Sequence, residues 1–512
     1  MNNRVRVMHV SLASLVFAGI LVAAAWASDQ AEKSAKAPEN SPASVAKSDA
    51  GSPAADGKQP PVVVAKIGDY EITKDDLIQR LLMEIRPQSE EYNGPWKPVS
   101  VEAVLLTLVA EKAMIMEGRK TGALNDPIIQ SFIERQKRQK LGTKVVVDYV
   151  RENLSVSEAE VDQMMKSNPK VTREQASMQV QRAKGTAMLE QFYKQLLAKF
   201  HLKQVKENFA KASEVHERLL RNPAKPRNEG WILNSQVKND VTKEEKDTVL
   251  ATYDGGQVTL KDWLETLCEI VPPRRPTDLD TPEGVERLLD RTLRSTMLVA
   301  EAKSRGGDKD PQYVREITDL EDGQMLYKMQ GERVKDVPEP NDAQITAFFE
   351  KHKEWFTEGP SMKADHIWCK DLATARKARE ELDGGKDFRS VKETYSLQKN
   401  AEPYDTWRNG EGPFWDDLWK GEPNQVVGPV KGFYEGGLAW RVVKVLTKTP
   451  AKEKPFSEAR DAVKWTVLRE RRKARLDTYG KEIREKHGYE LYADRIQGLD
   501  PLDVTLYPQK EK

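Results

Sequence analysis

The chain is 512 residues long, enough for about three domains of ordinary size, each with its own core. Lysine and arginine number 82 against 81 acidic residues, and a net charge of +1 supplies no global pull toward nucleic acid or acidic substrates. With 32% of residues charged and a mean hydropathy of −0.69, long solvated helices fit the composition better than one compact globule.

Arg4 and Arg6 precede an apolar run from Val10 to Ala27, and Ala25-Trp26-Ala27 has the small-x-small pattern that a signal peptidase cuts. Residues 1–27 are therefore expected to be a signal peptide cleaved after Ala27, placing the mature chain in the periplasm or another extracytoplasmic compartment. The alternative is a retained anchor, since a run of this length approaches the bilayer-spanning minimum. Membrane association is expected only in that case. Residues 28–61 are Ala, Ser, Pro, Lys and Asp with few large apolar side chains, and are expected to form a disordered linker.

Beyond Val62 the chain repeats itself. AKIGDYEITKDDL from Ala65 matches ATYDGGQVTLKDW from Ala251: strand, turn, strand, then a threonine that can cap a helix. Val101, Val104, Leu105 and Ile115 recur at one constant offset as Val285, Leu288, Leu289 and Val299, the spacing of one apolar helix face. At that offset GRKTGALNDP, ending at Pro127, meets AKSRGGDKDP, ending at Pro311, where glycine stops one helix and proline opens the next. Capping boxes follow at Ser157 with Glu160 and at Asn341 with Gln344. The first copy then enters a helix at Thr172 to Gln175. The second reaches its closing helix, PFSEARDAVKWTVLRERRKARL from Pro455, only after an insertion. In that helix the basic run is expected to face solvent, with Trp465 and Leu468 on the packed side.

These features predict a mainly α architecture of two repeated helical units. The first covers 62–235 and the second covers 248–358 plus 450–490, with a small α/β domain inserted at 360–448 and a C-terminal tail at 491–512. Within the insertion, KADHIWCK alternates as a half-buried strand, LATARKAREEL is a helix ended at Gly384-Gly385, FRSVKETYS and FWDDLWKG are further short helices, and VVGPV and LAWRVVKVL are strands. Cys268 and Cys369 are the two cysteines and read as semi-buried thiols, although an oxidising compartment would permit a bridge. Six histidines without CxxC or HExxH spacing give no metal site, and no phosphate-cradling or nucleophile-elbow motif is present, so no cofactor is expected.

The insertion resembles a parvulin-type prolyl isomerase. The resemblance is carried by His366-Ile367, Asp387-Phe388 before the second helix, Tyr395-Ser396 and Gly428-Pro429-Val430, and it covers nearly the whole segment. Together with the flanking helical units, it makes the chain similar to SurA/PrsA-type foldases, in which parvulin domains are inserted into a peptide-binding helical chaperone module. The implied chemistry is rotation about a prolyl bond, whose barrier of about 18–20 kcal/mol reflects lost amide resonance. A parvulin-like site lowers it by seating the proline in an apolar pocket over a polar floor that stabilises the twisted amide.

By that resemblance His366 takes the place of the first of two floor histidines, and Phe414 lines the proline pocket. Arg441 stands where the second histidine belongs, and a guanidinium cannot replace a neutral imidazole. Tyr404 falls at the acidic position, with Asp405 one residue out of register. The candidate catalytic set is His366, Asp405 and Arg441. The candidate substrate contacts are Phe414, Trp407, Trp415 and Trp440, from a stretch whose aromatics suit either a peptide cleft or a small core. Taken alone, His366 also reads as a core histidine. The expected function is an extracytoplasmic chaperone or foldase that binds unfolded or proline-containing client polypeptides, with an altered isomerase site. An active prolyl isomerase and a non-catalytic envelope scaffold are the alternatives. Oligomeric state is not legible from sequence.

Overall fold

A computed structural model describes residues 60–86, 96–222 and 231–507. The expected signal peptide and all but the last two residues of the expected linker lie outside the described residues. Among the described residues no helix is long and apolar enough to cross a membrane.

Strands β1 (Val63–Ile67) and β2 (Tyr70–Thr73) pair antiparallel about a tight turn at Gly68, whose φ of +53° lies in the left-handed region that glycine tolerates. Thr73 then caps the helix Lys74–Ile85 through a reciprocal box with Asp76, donor-to-acceptor distances being 2.8 and 3.2 Å. The helices Val101–Lys120, Pro127–Asn153, Glu158–Ser167 and Arg173–Lys199 follow, ending at β3 (Lys203–Gln204). The capping boxes at Ser157 and Thr172 form as the spacing requires. After a short helical connection the same order recurs: β4 (Val249–Tyr253), β5 (Gly256–Thr259), and helices Leu260–Glu269, Pro282–Ser304, Pro311–Val334 and Asp342–Lys351. The closing helix Phe456–His487 lies beyond the insertion.

Packing follows a different division from the sequence repeat. Among the described residues, one compact unit comprises residues 127–321 and the other comprises those from 60 to 126 together with 322–507. Within the first, β3 of copy one pairs with β4 of copy two, Gln204 opposite Ala251. There Lys199 donates to Glu301 at 2.5 Å, and Lys144 lies 3.8 Å from Asp310. Within the second, β12 (Glu490–Leu491) pairs with β1, Leu491 opposite Ala65. Lys486 donates to Glu117 at 2.8 Å and Lys328 to Asp126 at 2.6 Å. Each contact in one unit has its repeat counterpart in the other, so the two copies have exchanged closing halves. The expected units 62–235 and 248–358 plus 450–490 are thus each divided between the compact units. The physical reason is that repeated copies present corresponding apolar docking faces, so a closing helix can be received by either copy.

The first unit's core centres on Trp263, fully buried, whose indole N–H donates to the Val285 carbonyl at 3.1 Å. In the second, Leu77, Leu105, Val109 and Ala113 bury against Tyr479 and Ile483 of the closing helix. The other end of that helix packs Val463 and Val467 on Ile345 and Phe349 of its own copy. Trp465, expected on the packed side with buried Leu468, is instead 58% exposed.

The insertion begins and ends at a two-stranded clamp of β6 (Thr357–Glu358) and β11 (Lys452–Glu453). Its sheet is antiparallel in the order β8 (Tyr404–Trp407), β7 (Ser361–Cys369), β10 (Gly437–Thr449), β9 (Val426–Tyr434). Helices Leu372–Asp383 and Phe388–Tyr395 cover one face through Ala375, Ala378 and Val391, while Trp415 and Leu418 of the short helix Trp415–Trp419 cover the other. Strand β8 carries no strong alternation and was not expected. The expected tail is packed as far as Tyr507: Val504 and Tyr507 are buried with Leu82, Ile85, Phe414 and Leu438.

Candidate functional site

Alternation along β7 sends Met362, Ala364, His366 and Trp368 to one face and Ile367 and Cys369 to the other. On the first face the neighbouring strands contribute Arg441 and Val443 from β10, and Tyr404 and Thr406 from β8. The His366 ring sits 4.6 Å from Tyr404 and 5.1 Å from Trp368, centroid to centroid. Its Nδ1 is buried without a hydrogen-bond partner among the described residues. Burial, with Arg441 and Lys392 nearby, pushes its pKa down to about 4, so the imidazole is neutral at physiological pH.

The floor beneath is an ion pair. Arg441 is 2% exposed and Glu411 5%, and the Arg441 Nη2 donates to Glu411 Oε2. Arg441 Nη1 donates to the Tyr404 hydroxyl at 2.9 Å, and the guanidinium lies 4.8 Å from the Trp368 ring centre. Thr406 and Tyr404 donate to the other Glu411 oxygen at 2.7 and 3.2 Å. Burial opposes ionisation of Glu411, but the guanidinium and these hydrogen bonds outweigh it and hold the carboxyl below its usual range. For Arg441, burial favours the neutral form, and Glu411 overrides it to keep the charge. Gly432 makes room for this arrangement, since a Cβ there would come within 2.6 Å of both Arg441 and Trp368.

The proposed residues are only partly brought together. His366 and Arg441 share a face, but the terminal nitrogens of Arg441 are engaged with Glu411, Tyr404 and the Lys431 carbonyl. Asp405 points to the exposed side of β8, in register with Lys363 and away from the Tyr404–Thr406 side. Phe414 is 4% exposed and packed with Leu82, Ile85, Leu438 and Tyr507, at 5.6 Å from Phe433. Trp415 is a core residue against Val443 and Val445, stacked on Trp419 at 5.0 Å. Trp440 alternates with Arg441 and packs on the opposite side with Val442. Of the four substrate candidates, Trp407 alone is exposed. Sequence reasoning missed Glu411. The available signal was the need of a central-strand arginine for a buried carboxylate, but RNGEG reads as a plain loop. Among the described residues no cluster of His, Cys, Asp and Glu could hold a metal ion, and both cysteines are free thiols.

Residues 340–461 match the family model described as a PPIC-type PPIase domain. Foldase protein PrsA 3 of Bacillus anthracis is 30% identical over 128 residues, 24% of this chain and 42% of that protein. Foldase protein PrsA of Clostridium acetobutylicum is 28% identical over 149 residues, 28% of this chain and 43% of the relative. The chain thus spans about two fifths of the length of these curated relatives. A solved structure of a SurA-like chaperone from Campylobacter jejuni aligns at 16% identity over 48% of this chain and 99% of that one, with a TM-score of 0.24.

Proposed function

We propose that this chain, which is of the SurA/PrsA foldase type and carries a PPIC-type PPIase domain, acts as an extracytoplasmic chaperone whose inserted domain no longer catalyses prolyl isomerisation. The observation that carries this reading is the buried Arg441–Glu411 pair. Lowering the rotation barrier requires preorganised donors that are unspent and aimed at the twisting amide. Here the terminal nitrogens of Arg441 are spent on Glu411, Tyr404 and the Lys431 carbonyl, and the neutral His366 has aromatic rings for neighbours rather than a second imidazole. Client polypeptides in general are the partners, and the N-terminal sequence supports export with cleavage after Ala27.

A protease-coupled prolyl assay run beside a client-aggregation assay tests the reading. The expected result is suppression of aggregation with prolyl turnover near background. Robust turnover that His366→Ala abolishes would establish the alternative, an active isomerase. That alternative is favoured by one observation, the neutral imidazole of His366, whose Nδ1 has no hydrogen-bond partner among the described residues.

A further inference from the structure

A groove of about 790 Å³ lies within the second compact unit, between the helices Val101–Lys120 and Phe456–His487. We propose that this groove is where the client is held, and that it selects extended segments combining a large apolar side chain with carboxylates. The proposal rests on the chaperone reading above and names the class of segment it would take.

The apolar part of the lining is Leu106, Met114, Leu468 and Leu476, with Trp465 among them and 58% exposed. An indole left this open on a helix that is otherwise charged outward is a ready anchor for another apolar group. Among the charged lining residues, Arg80, Arg472, Lys473 and Arg484 stand against Glu111 and Asp477. These acids pair with Arg80 at 2.8 Å and Lys473 at 3.1 Å, so the excess positive charge lies on Arg472 and Arg484. The Nε of Arg484 is buried and unpartnered among the described residues, although its Nη1 donates to the Leu106 carbonyl at 3.1 Å. The groove therefore presents apolar surface inside a cationic field, which attracts carboxylates and repels lysine-rich segments.

The repeat supplies an internal control. In the first unit the corresponding seam joins helices Pro282–Ser304 and Arg173–Lys199, and the positions of Ala110 and Gly480 are taken by Arg294 and Tyr193. There the guanidinium of Arg294 lies 5.1 Å from the Tyr193 ring centre and donates to Glu190 and Asp290, each at 3.0 Å. That seam is filled by side chains and its cation is neutralised. In the second unit Ala110 and Gly480 bring the helices together with no bulk: a Cβ on Gly480 would sit 3.2 Å from that of Ala110. The open cationic groove is thus a property of particular residues and not of the repeated architecture.

The test uses the full mature chain and short fluorescein-labelled synthetic peptides of equal apolar content, one glutamate-bearing and one lysine-bearing, read by anisotropy at low and high salt. The glutamate peptide is expected to bind about tenfold tighter than the lysine peptide, with the difference shrinking as salt rises. Trp465→Ala and Arg472→Glu change exposed residues, so the fold should persist by circular dichroism. Each is expected to weaken the glutamate peptide about fivefold. Equal binding of both peptides by a chain that still suppresses aggregation would overturn the groove's selectivity and leave the chaperone reading intact. Binding that neither variant alters would overturn the groove as the site. A chain that neither binds peptide nor suppresses aggregation would overturn both.

Discussion

Replacing Glu411 by alanine should unfold the inserted domain rather than disturb a binding site. Arg441 is 2% and Glu411 5% exposed, so the guanidinium left behind would be a buried charge with the Tyr404 hydroxyl and the Lys431 carbonyl as acceptors and the Trp368 ring beside it. Tyr404 and Thr406 would lose their shared acceptor as well. Removing one member of a buried ion pair costs about 3–5 kcal/mol, and for a domain of this size that lowers the melting midpoint by more than about 10 °C. The measurement is thermal unfolding of the full chain, with hydrogen exchange across 361–449 to locate the loss. Glu411→Gln keeps an acceptor for Thr406 but not the charge, and should fall between wild type and alanine. Because the Glu411 carboxyl is held below its ordinary value, the stabilisation is complete at neutral pH. It is lost only as pH falls through the depressed folded value. A melting midpoint for Glu411→Ala within a degree or two of wild type would show that the pair does not hold the domain together.

Phe414→Ala should likewise act on stability, by about 3–5 kcal/mol, and free the segment around Val504 and Tyr507 to exchange and proteolysis, because the ring is buried among them. Unchanged protection of that segment would contradict this. His366→Ala should leave aggregation suppression at wild-type levels, measured on a slowly aggregating client. His216 and His366 are both pushed down to about 4, chiefly by burial. Below pH 6.5 the unfolded chain takes protons that the native one refuses, and each histidine should therefore remove roughly 3 kcal/mol of stability as pH falls from 6.5 to 4. Urea titrations across that range and NMR midpoints of the two imidazoles check it. The thiols of Cys268 and Cys369, pushed up to about 11 and about 12 by burial, should react with a disulfide reagent at pH 8 only after denaturation.

Much of the local structure was legible because it is fixed by neighbours in sequence. The capping boxes at Ser157, Thr172 and Asn341 form where a hydroxyl or amide stands three residues before Glu or Gln. The strand carrying His366 follows from alternation, and its inward face follows with it. What sequence could not convey is partner choice. Leu105 and Leu289 read alike, and nothing local tells which closing helix each will meet. The same limit hid the site: Arg441 and Glu411 are separated by a hairpin and a loop, and the pair exists only once β10 lies beside β7. Phe414 and Trp415 read equally well as cleft or core; Phe414 is buried by segments as distant as Ile85 and Tyr507, Trp415 by Val443 and Val445 of the sheet.

The exchange of closing halves also sets an order of assembly. The Arg495 guanidinium meets the Val63 carbonyl across 432 residues of sequence, and β1 gains its second neighbour only from β12. A chain emerging from its N-terminus would make the segment 63–120 first and complete its packing last. Meanwhile residues 127–321 form a compact unit that includes no described segment beyond Glu321. The early segment, with Leu105, Val109 and Ala113 awaiting Tyr479 and Ile483, spends the interval exposed. The protein thus passes through a long unfinished stage, and the rate at which its last helix arrives should govern its yield.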